Sequence, residues 1–110
     1  MTIDTSATLG GASAQAALID GISAVIAKAT GAPADHVHIN LRTGATMTWG
    51  SKLGGVGGNP HTTQVRITVT EKYPDATKLQ IVAEAGPLLA PCSPPATTQY
   101  YFEQTNLSNL

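Results

Sequence analysis

Charge is scarce in this 110-residue chain, with six basic and seven acidic residues. That is 12% of the sequence, against about 25% in an average soluble domain. A net charge of −1 without a basic cluster gives no footprint for nucleic-acid binding. The single cysteine, Cys92, excludes an internal disulfide and any cysteine cage for zinc. No apolar run approaches the roughly 18 residues that a membrane span needs. The first residues lack a basic stretch followed by an apolar one, so no signal peptide is visible and a soluble chain is expected. Phosphate-cradle glycine motifs and the G-x-S-x-G elbow are missing, and the carboxylates show no close pairing. Nothing in the motifs implies a cofactor.

The chain is instead rich in small residues, with 16 Ala, 15 Thr and 11 Gly. Leu, Ile, Val and Phe total 23, close to the level of about 20% below which a core is hard to build. A core this thin favours self-association or docking on another protein chain as a supplement.

Periodicity assigns the elements. Residues Thr2 to Leu9 alternate with period two, as a strand does. From Ser13 to Thr30, Leu18, Ile22, Val25 and Ala29 recur at helical spacing, and Gly31 with Pro33 ends the helix. Strands follow at His36–Arg42 and Thr63–Thr70, each with one dry and one wet face. Pro74-Asp75 opens a second helix that Gly86-Pro87 should close. A Pro-punctuated stretch leads to a last β-prone run, Thr97 to Phe102. This order predicts an α+β, ferredoxin-like split βαβ sandwich, with two helices on one face of a four-stranded antiparallel sheet. Residues 1–86 are read as the core, and residues 87–110 as a Pro-rich connection, last strand and docking tail.

The block from Ile22 to Ile39, a helix ending in Gly31, a Pro33-Ala34-Asp35 turn and a V-x-I strand, resembles SEA-like domains. That resemblance implies the same βαββαβ plan. Some SEA domains cleave themselves at a Gly-Ser bond; Gly50-Ser51 lies in the corresponding hairpin, without the usual hydrophobic flanks. The same block also resembles the tautomerase superfamily, which implies proton transfer by an N-terminal proline exposed on removal of Met. Here position 2 is Thr2, whose primary amine is a poorer base than a low-pKa secondary amine.

Three sets of residues stand out as candidate sites. His36 and His38 leave one face of a strand, and with His61 they could ligate a metal, although no spacing fixes a third ligand. The long connection from Thr43 to Thr62 carries six glycines and reads as a projecting arm, with Met47, Trp49 and Lys52 as contacts. Tyr100, Tyr101 and Phe102 put aromatics on both faces of the final strand. The leading expectation is therefore a non-catalytic interaction or structural subunit that docks through this loop and tail. The alternative is a small oligomeric tautomerase-like enzyme, with Thr2 at its mature N-terminus and Arg42 or Arg66 holding an acidic keto or enol substrate. A His-based metal module is third.

Overall fold

The computed structural model describes residues 1–33, 35, 37–69 and 72–104. Strand β1 (Thr2–Thr5) leads to helix α1 (Gly11–Thr30) and strand β2 (Asn40–Arg42). A small hairpin follows, β3 (Thr48–Trp49) and β4 (Lys52–Leu53), then β5 (Thr63–Val69), α2 (Asp75–Leu89) and β6 (Thr98–Gln104). The main sheet runs β2-β1-β5-β6. Strands β1 and β2 are parallel, β5 and β6 are parallel, and the two pairs meet antiparallel through β1 and β5.

The sheet is therefore mixed, which corrects the expected antiparallel ferredoxin-like arrangement. Each helix crosses over between two neighbouring strands, whereas a split βαβ would place a strand between them. One dry and one wet face per strand was a sound reading. It reports that helices cover one side only, and it carries no information about strand direction. Ile3, Thr5, Val65, Ile67 and Val69 are buried toward the helices, where Ile22, Ile81 and Leu89 complete the core.

Helix α1 forms where its stripe predicts, with Leu18, Ile22, Val25 and Ile26 buried. Gly31 adopts a left-handed φ of 74°, and its N–H caps the Ala27 carbonyl at 2.9 Å. Gly21 lets α2 approach closely, since a Cβ there would meet the Leu88 side chain at 3.2 Å. Helix α2 overruns its expected stop and continues to Leu89. Proline disfavours helical geometry in the preceding residue mainly through that residue's Cβ, and Gly86 has none. Burial of Leu89 then rewards the extra turn.

Strand β2 is shorter than His36–Arg42. Its partner β1 offers only Thr2, Ile3 and Asp4 to the ladder, so Val37 and Ile39 pack on the core without joining the sheet. The glycine-rich connection is folded: Gly50-Ser51 is the turn joining Trp49 to Lys52, and Gly54 donates to the Met47 carbonyl at 2.9 Å. The whole of β6 pairs with β5 in register from Thr63–Thr98 to Val69–Gln104. Among the described residues, no helix is long and apolar enough to cross a membrane.

Candidate functional site at the start of the first strand

Strand β5 outruns β1. The register pairs Thr2 with Arg66, so Ile67, Thr68 and Val69 have β6 on one side and no ladder partner on the other among the described residues. The missing length of strand leaves a 210 Å³ cavity. Its wall combines Met1 with Ile26 and Thr30 from the last turn of α1, Val37 and His38 before β2, Ile67 to Val69, and Tyr73 ahead of α2. The amino group of Met1 donates to the His38 carbonyl oxygen at 2.8 Å. Partial desolvation against this wall lowers the pKa of the amine from its ordinary 8.0. An amine shifted that way has a larger neutral fraction at neutral pH, which is the form that accepts a proton.

Sequence reading alone did not find this cavity, because five separate segments contribute to it. The one available signal was the unequal length of the alternating runs at Thr2–Leu9 and Thr63–Thr70.

The two arginines lie elsewhere, on the sheet face away from the helices. Arg42 Nε meets Asp4 at 2.5 Å, and Arg66 Nη1 meets Glu103 at 2.5 Å while its guanidinium stacks 5.1 Å from the Tyr101 ring. Neither lines the cavity. The histidines do not converge. His36 lies outside the described residues, His38 borders the cavity at the start of β1, and His61 Nδ1 sits 2.9 Å from Ser6 Oγ beyond the other end of that strand. Among the described residues, no group of three His, Cys, Asp or Glu is placed to hold a metal ion.

Of the expected docking residues, Trp49 is 40% exposed and Leu53, beside it on the hairpin, 41%. Met47 is half-buried before β3, and Lys52 is exposed opposite Trp49. Tyr101 lies on the open sheet face. Tyr100 and Phe102 turn toward the helices: Tyr100 packs beneath Val82 and Pro87, and Lys78 lies 5.8 Å from the Phe102 ring. Burial raises the pKa of the Tyr100 phenol and of the Cys92 thiol, the latter partly offset by a hydrogen bond with Thr5.

No protein-family model matches this sequence, and neither does any curated protein. Solved structures do match. The macrophage migration inhibitory factor of Toxoplasma gondii superposes with a TM-score of 0.82 at 17% identity, over 99% of this chain and 91% of that one. The fold is that of the tautomerase superfamily. Two further structures with the tautomerase fold support this. A fused 4-OT, solved as an asymmetric trimer, has a TM-score of 0.72 and 21% identity, over 98% of this chain and 89% of that one. The FG41 malonate semialdehyde decarboxylase, inhibited by 3-bromopropiolate, gives 0.73 and 14%, over 99% and 85%. The tautomerase resemblance of the Ile22–Ile39 block is thus supported, and the SEA-like one is not. Its split βαβ plan is incompatible with adjacent parallel strands, and Gly50-Ser51 serves as a hairpin turn.

Proposed function

We propose that this chain is a small self-associating enzyme of the tautomerase type, moving a proton at a carbon beside a carbonyl group. The observation that carries this reading is the amino group at the start of β1, held in a largely apolar cavity with its pKa lowered. The neutral amine takes the proton from the substrate's α-carbon, leaving an enol or enolate. The resulting ammonium returns that proton to carbon or oxygen, which completes the isomerisation. The fold shared with 4-OT and migration inhibitory factor supports the reading. The mature amine belongs to Met1 or, after its removal, to Thr2. Either is primary, and this departs from the N-terminal proline of the superfamily.

The experiment is hydrogen–deuterium exchange at the α-carbon of small keto compounds in D2O, followed by proton NMR, with the intact mass of the protein fixing its first residue. Exchange above the buffer rate, abolished by acetylating the N-terminal amine, is the expected result. Exchange at the buffer rate, or exchange indifferent to acetylation, overturns it.

Self-association is part of the same proposal. Trp49, Leu53 and Val56 are exposed together in and beside the β3–β4 hairpin, and Tyr101 on the open sheet face. They are the contacts through which copies of this chain would meet.

A further inference from the structure

We propose that the cavity beside Met1 takes an uncharged carbonyl compound, a small ketone or ester with an aliphatic side chain, in preference to a carboxylate. This rests on the proton-transfer reading and names its substrate class.

Among the described residues, every lysine and arginine is placed away from the cavity wall. Lys28 pairs with Glu84 at 3.0 Å between the helices, Arg42 with Asp4, and Arg66 with Glu103. Lys78 lies over Phe102, Lys52 borders the Trp49 hairpin, and Lys72 is exposed and does not line the cavity. The wall is mainly Ile26, Val37, Ile67, Val69 and Tyr73. Moving a carboxylate into such a place without a cation costs several kcal/mol, on the order of the penalties known for unpaired buried charges.

The amine cannot serve as that cation and as the base together. An anion beside it would favour its ammonium form and return its pKa upward, removing the proton acceptor. A neutral carbonyl leaves the amine free. The groups the cavity does offer suit a neutral ligand, namely the unpaired backbone edge of Ile67 to Val69 and the Tyr73 hydroxyl. These are dipoles, which orient a carbonyl without neutralising a charge.

The test uses a matched pair, 4-methyl-2-oxopentanoate and its methyl ester, with the native protein at about pH 8.5, above the range in which imidazole usually supplies a cation. Saturation-transfer NMR titration reads binding, and exchange at C3 in D2O reads chemistry. The ester is expected to bind at least about tenfold more tightly than the acid. Equal affinity, tighter binding of the acid, or no binding of either overturns the proposal. Exchange at the buffer rate despite selective ester binding removes the proton-transfer reading and leaves the ligand class standing.

Ala32→Lys supplies the missing cation. Ala32 lies just past the Gly31 cap, on the wall and outside the helix, where a positive charge also suits the helix C-terminus. The variant is expected to bind the acid about tenfold better than the native protein does, with little change for the ester. An unchanged preference shows that charge does not set the selectivity.

Discussion

The amino nitrogen of Met1 and the carbonyl oxygen of His38 are joined at 2.8 Å, which fastens the beginning of β1 to the segment leading into β2. The contact holds the amine at the edge of the cavity and settles where a reacting carbon would have to lie.

A pH–rate profile of α-proton exchange should have its rising limb below 8.0, because desolvation lowers the amine's pKa in the folded chain. Stability follows the same sign. The unfolded amine holds its proton more tightly, so this group's contribution is complete above 8.0 and is lost as pH falls through the lowered folded value. Acetylation should remove the limb from the profile, and a limb at or above 8.0 would count against the assignment.

Ser93→Ala tests the buried hydroxyl chain at the far end of β1. Ser93 Oγ donates to Thr63 Oγ1 at 2.7 Å and shares a 2.6 Å contact with Thr98, and Thr63 donates onward to Thr5 at 3.0 Å. Deleting one link leaves buried oxygens short of a partner, and the expected loss is about 1–3 kcal/mol in urea unfolding. Thr68→Ala, on an exposed position of β5, should stay within about 0.5 kcal/mol.

How much of this was readable beforehand varied with the kind of information required. Helix α1 was legible nearly to the residue, since its stripe and Gly31 are local signals. The end of α2 was not, because Pro87 reads as a stop unless Gly86 and the burial of Leu89 are weighed with it. Strand alternation at Val65, Ile67 and Val69 identified the covered face but could not reveal which strands run parallel. The cavity depends on register between β1 and β5, a long-range property that no window of residues contains. Ser93, Thr63 and Thr5 looked like ordinary polar residues until the fold brought them together.

Gly55→Ala should disturb the connection between the hairpin and β5 more than Gly57→Ala does. Both glycines have positive φ, 75° and 62°, so each alanine carries backbone strain of about 1–2 kcal/mol. At Gly55 the new Cβ would also overlap the His61 ring and push it from Ser6. Urea midpoints of the two variants check this, and equal midpoints would show that the ring yields freely.

Trp49→Ala should shift the native mass, measured by light scattering, from an oligomer toward the 11.3 kDa chain. A trimer is the expected native state, as in the fused 4-OT structure. An unchanged mass would move the contact to another surface.

The two strand–helix–strand units meet along β1 and β5 and through the packing of α1 on α2, while the only covalent link between them is the looped stretch from Thr43 to Thr62. A protease cut in that link would leave two fragments of matching build, each with one apolar sheet face and a helix to cover it. Their reunion would need no new contacts, so this chain is suited to division into complementing halves, and a doubled ancestral unit would have the same layout.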